Sequence, residues 1–90
     1  MKSDRESLNE ALDCLKAGGF AVGPQWHEAH EICQAREGEA AFDWVHALCH
    51  RIEGDDWNAG YWYRRAGKVR GTGAIADEWA AIRAELMSGN

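Results

Sequence analysis

Apolar positions recur with a helical period along almost the whole chain, and glycines separate one run from the next. Leu8, Leu12 and Leu15 fall at i, i+4 and i+7, the spacing of one helical face. Ser3 and Glu6 ahead of them fit a capping box, and Gly18-Gly19 closes the segment. Pro24 suits the first turn of a second helix that runs to about Arg36 and ends at Gly38. A third helix is predicted from Glu39 to about Glu53, with Gly54 as its left-handed C′ residue. Asp55 or Asp56 then caps a short fourth helix that closes at Gly67. Beyond the loop GKVRGTG, the spacing of Ile75, Trp79, Ile82 and Leu86 marks a fifth. Nothing alternates with period two over a useful length, so no sheet is expected. The pattern predicts an all-α chain, a single compact bundle of about five helices spanning residues 1–90 with short connections.

The third helix is the most informative. At about 100° per residue, Ala41, Trp44, Val45, Leu48 and Ile52 share one face and form its core stripe. With Leu12, Leu15, Trp79 and Ile82 they make up the expected core. Glu39, Phe42, His46, Cys49, His50 and Glu53 fall on roughly the opposite face. A solvent-facing stripe is usually richer in Glu, Lys and Gln, so this second face is expected to be covered at least in part. His46 and His50 at i and i+4, with Glu53 at i+7, place two imidazoles and a carboxylate along one line.

The second helix adds His27, His30, Glu31 and Gln34 on one side, with Trp26, Ala29 and Cys33 beside them. If the second and third helices pack antiparallel, their histidine-bearing faces meet, and four histidines and two glutamates line one groove. His46, His50, Glu53 and His30 are then the candidate ligands of a divalent, zinc-like metal, and Glu31 or Glu53 the candidate general base. The same HxxxH spacing also arises by chance on helices. Without a metal, these groups form a hydrogen-bonded network.

Aromatic residues crowd the fourth helix: Trp57, Tyr61, Trp62 and Tyr63. Tyr61 and Trp62, with Trp26, are candidate walls of the groove, and Arg51, Asp55 and Arg64, with His27 and His30, its candidate polar contacts. Gly60 inside this helix suggests that another backbone or a ligand approaches closely there. Four basic residues lie between positions 64 and 70, namely Arg64, Arg65, Lys68 and Arg70. They suit either an anion or the C-terminal dipole of the helix. Around Arg51, Arg64, Arg65 and Asp55, at least one arginine is expected to pair with a carboxylate of the EGDD corner and pin the turn between the third and fourth helices.

Composition narrows the classes. Net charge is −5, which argues against nucleic-acid or membrane-surface binding by the whole molecule. Cys14, Cys33 and Cys49 form no CxxC pair and leave one over, the usage of reduced, mostly buried thiols in a cytoplasmic protein. No apolar run is long enough for a signal sequence or a membrane span.

Several stretches carry a resemblance. Trp26, Ala29-His30-Glu31 and Gln34, then HALCHRIEGD, NAGYWYRRAG and the later EWAAI, together resemble a family of small uncharacterised bacterial and fungal proteins. The likeness runs from about position 26 to 86 and implies no mechanism. GDDWNAGYWYRRAG is also similar to the first helix of tetratricopeptide or Sel1-like repeats. Such repeats act as stacked copies, and this chain holds one.

The expected function therefore lies in a polar and aromatic groove between the second, third and fourth helices. A non-catalytic binding or interaction module leads. Its partner would be a small molecule, another protein or a second copy of the chain. A metal-dependent or acid–base enzyme is the rival.

Overall fold

Capping chemistry places the helices where the pattern predicts them. The computed structural model describes residues 1–88 and contains α1 (Asp4–Ala17), α2 (Pro24–Gln34), α3 (Ala40–Glu53), α4 (Asp56–Ala66) and α5 (Ile75–Met87), with no strand among the described residues. The Glu6 amide donates to Ser3 Oγ at 3.1 Å and the Ser3 amide to Glu6 Oε1 at 2.9 Å, completing the capping box. Pro24 stands at the start of α2, which ends at Gln34, two residues before the expected Arg36. Asp55 is the cap of α4 and accepts from the Asn58 amide. Gly54 and Gly67 sit at φ 85° and 70°. Each ends its helix with the paired amide-to-carbonyl bonds of a Schellman turn, Gly54 to Arg51 and Asp55 to His50, then Gly67 to Arg64 and Lys68 to Tyr63.

α3 is the hub. It packs against all four other helices, and every residue from Phe42 to His50 is buried. The expected core residues Val45, Leu48, Leu12, Leu15, Trp79 and Ile82 are buried; Ile52 is half-buried and packs at the margin. The face opposite the aliphatic stripe is covered as well, with Phe42 and Cys49 fully enclosed. α5 is tied to α1 by the Trp79 indole, which donates to the Leu12 carbonyl at 2.9 Å. All three cysteines are free thiols, Cys33 and Cys49 buried and Cys14 half-buried. No helix among the described residues is long and apolar enough to cross a membrane.

An arginine does pair with the α3–α4 corner, but neither the arginine nor the acid is the one singled out by the sequence. Among the described residues Asp55 pairs with no arginine; it is occupied as a cap, accepting also from Asn58 Nδ2 at 2.7 Å. Arg51 reaches instead to Glu78 and to the Gly73 carbonyl, across the loop that follows α4. It is Arg70 that closes on the corner, through Asp56 at 2.8 Å. Nor, among the described residues, does the backbone of another element approach Gly60. A methyl group there would meet only the tip of Arg64 on its own helix, at 3.4 Å. Gly60→Ala should therefore raise stability by about 0.5–1 kcal/mol through helix propensity, read as a higher urea midpoint. A lower midpoint would show that the site is sterically closed.

Candidate functional site

α2 and α4 flank α3, and the seam over α3 is filled by rings. Trp26 fixes α2 in place: its indole is buried and donates to the Cys49 carbonyl at 2.8 Å. The neighbouring Cys49 thiol on α3, and then burial, hold the Cys33 thiol on α2 well above the ordinary thiol range. One turn along α2 from Trp26, the His30 ring lies parallel to the indole at 5.0 Å between centroids. His30 meets His46 and His50 edge to face, at 4.7 and 5.1 Å. His46 and His50, one turn apart on α3, lie 5.0 Å from each other. From α4, Trp62 stacks on His46 at 4.0 Å.

Three of the four histidines thus converge. His30, His46 and His50 each offer one ring nitrogen, and the three atoms lie within 4.8 Å of one another. His46 is 2% exposed, and its Nδ1 is buried without a hydrogen-bond partner. Burial first, then the neighbouring His30, His50 and Arg65, push its pKa down to about 3. His30 is shifted in the same direction, mainly by burial. His46 is therefore a neutral imidazole at physiological pH, the form that binds metals.

The remaining expected site residues divide. Glu53 does not complete the triad. It accepts a hydrogen bond from His50 Nδ1 at 2.7 Å, because i+3 on a helix brings it beside that ring. A second set of ligand-capable atoms, on His50, Glu53 and Asp55, also lies within 4.8 Å, but Asp55 there is the cap of α4. His27 is not part of the cluster; with Glu31 it forms an exposed pair at 3.1 Å on the outer face of α2, and Gln34 is exposed too. Glu31 is therefore engaged by His27 at the surface and is not among the ligand-capable atoms that gather at His30, His46 and His50. Tyr61 is at the surface, edge-on to Trp62 at 5.1 Å, and carries the exposed Trp57 stacked at 6.2 Å. Arg64 is exposed, and Arg51 belongs to the Glu78 network.

The basic cluster disperses in the same way. Arg65 donates to the Tyr61 hydroxyl at 3.1 Å and faces Asp43 at 3.9 Å, while Lys68 pairs with Glu85 at 2.6 Å. With Arg70 on Asp56, these residues do not converge on an anion. Along the seam between α2, α3 and α4, the His30 ring packs edge-on against His46, and Trp62 stacks on His46. A shallow depression of about 350 Å³ lies elsewhere, between α1 and the end of α5, lined by Arg5, Glu6, Asn9, Arg83 and Met87.

The chain matches no family model, no curated protein and no solved structure.

Proposed function

We propose that this protein is a small, non-catalytic metal-binding module in which His30, His46 and His50 hold one divalent transition-metal ion. The observation that carries the reading is the convergence of three ring nitrogens from two helices to within 4.8 Å. A zinc ion with bonds of about 2.0–2.1 Å needs its ligand nitrogens roughly 3.3–3.4 Å apart. Small rotations of the side chains close the remaining gap. A metal also gives the buried Nδ1 of His46, or the ring that carries it, a role that no protein group supplies. An unpartnered buried polar atom costs about 1–3 kcal/mol, so the metal-free cluster is under tension that binding relieves.

Imidazole donors favour ions of the zinc, nickel, cobalt and copper group, whereas calcium and magnesium require oxygen ligands. His50 lies in the last turn of α3, where the helix dipole favours a positive charge. Enclosure by Trp26 and Trp62 suits retention of an ion more than turnover of a substrate.

The test is titration of tag-free protein with zinc and with cobalt, whose visible spectrum reports coordination number. One equivalent is expected, with a tetrahedral cobalt spectrum and quenching or shift of tryptophan emission from Trp26 and Trp62. At a free-metal concentration 100 times Kd the folded state gains about 2.7 kcal/mol, which appears as a higher melting temperature. His30→Ala, at a half-buried position, should abolish the stoichiometric uptake. Uptake unaffected by that change, or no uptake at all, overturns the reading.

A further inference from the structure

Glu53 stands where helix electrostatics disfavour it. It is the last residue of α3, at the negative end of the helix dipole, and its carboxylate is 37% exposed. Among the described residues its one ion-pair partner is His50, at 2.7 Å. An ionised carboxylate can only accept a hydrogen bond, so the shared proton sits on His50 Nδ1. In a neutral ring this leaves Nε2 as the lone-pair nitrogen. Neither of the other two rings has an orienting carboxylate: the Nδ1 of His46 is unpartnered, and among the described residues no hydrogen bond to a carboxylate fixes His30.

From this geometry we infer that Glu53 is a positioning residue of the metal centre: it holds His50 as the Nδ1–H tautomer and presents Nε2 to a divalent ion. The inference rests on the three-histidine reading and deepens it. Partial negative charge passed to the ring through the hydrogen bond makes Nε2 a stronger donor, and the bond removes the free rotation and tautomer choice that a ligand must otherwise lose on binding. The Glu53 carboxylate also favours positive charge on His30, although burial and His50 outweigh it there. A structural ion pair would do none of this. At the end of a helix, a half-exposed His–Glu contact contributes little to folding.

The experiment compares Glu53→Ala and Glu53→Gln with the unaltered protein by two readouts. The first is the zinc dissociation constant, measured by competition with a chelator. The second is the His50 tautomer in metal-free protein, from long-range proton–nitrogen NMR correlations above the ordinary imidazole titration range. Glu53→Ala should weaken zinc by about 10–100-fold and shift His50 toward the Nε2–H tautomer. Glu53→Gln, whose amide oxygen still accepts from Nδ1–H, should keep the tautomer and recover part of the affinity. Circular dichroism should show both variants folded, since removing an acid from a helix C-terminus is neutral or favourable. Zinc binding by Glu53→Ala equal to the unaltered protein overturns the positioning role alone. An Nε2–H tautomer in the unaltered protein does the same. Failure of the unaltered protein to take up zinc overturns the three-histidine reading and, with it, this one.

Discussion

Glu78→Ala is expected to destabilise the protein by about 3–5 kcal/mol, a large share of the stability of a chain this size. Glu78 lies in the first turn of α5, and its side chain is 6% exposed. One carboxylate oxygen accepts from the Arg51 guanidinium and the other from the Tyr63 hydroxyl. Arg51, 10% exposed, also donates to the Gly73 carbonyl, so the loop after α4 is folded around the same pair. Burial and then Glu78 hold the Tyr63 phenol well above its ordinary range, so it acts only as a donor here. Removing the carboxylate leaves a buried guanidinium without its anion, and that is the costly state. Tyr63→Phe, which removes one neutral donor, should cost about 1–3 kcal/mol. Combining Arg51→Met with Glu78→Leu should restore most of the loss, because no uncompensated charge remains. Urea midpoints check all three, and a Glu78→Ala midpoint near that of the unaltered protein would mean that water reaches the pair.

None of this network is legible in the sequence. Arg51 and Glu78 stand 27 positions apart, and each looks like an ordinary surface charge on its helix. What can be read is local: Ser3 with Glu6, Asp55 ahead of α4, Gly54 and Gly67 at φ values that side chains rarely adopt. Caps and C′ glycines act within one turn, so their chemistry survives without tertiary context. Asp43 shows the converse. It is 1% exposed, accepts from the Gly38 amide at 3.1 Å and faces Arg65 at 3.9 Å, anchoring the α2–α3 turn to α4. Its single sequence signal is an acid in the first turn of α3, which is equally common on exposed helices.

The histidine site was legible by halves. Helical spacing puts His46 and His50 on one line, and their company of Phe42 and Cys49 marks that face as covered. Which residue of α2 reaches them depends on the packing of α2 on α3. Trp26, Ala29 and Cys33 form the buried stripe of α2, which draws His30 inward and leaves His27 and Glu31 outside. Glu53 shares a helical face with His46 and His50, which makes it a candidate ligand on spacing alone. Its distance along the helix matters more: three residues from His50, it reaches that ring before it reaches the centre of the cluster.

Acid should destabilise the metal-free protein well before its carboxylates titrate. In the folded state burial and the adjacent imidazoles lower His46 from 6.5 to about 3. The unfolded chain therefore takes up a proton as pH falls through 6.5, while the folded chain stays neutral at this site until about 3. Stability is full above the unfolded value and declines below it, by up to about 1.4 kcal/mol per pH unit for one such group. His30, also lowered, adds in the same direction. Glu6 and Glu10 have lowered values as well, but their unfolded reference is 4.5, so they begin to act only below about pH 5.5, one unit above it. The interval from 6.5 down to about pH 5.5 thus isolates the histidines. Over it, the urea midpoint should fall steadily. His46→Phe keeps a planar ring against Trp62 and removes the titrating group, so it should flatten most of the slope. A midpoint constant across that interval would show that His46 is solvated in the folded state, and with it that the three rings do not enclose a dry site.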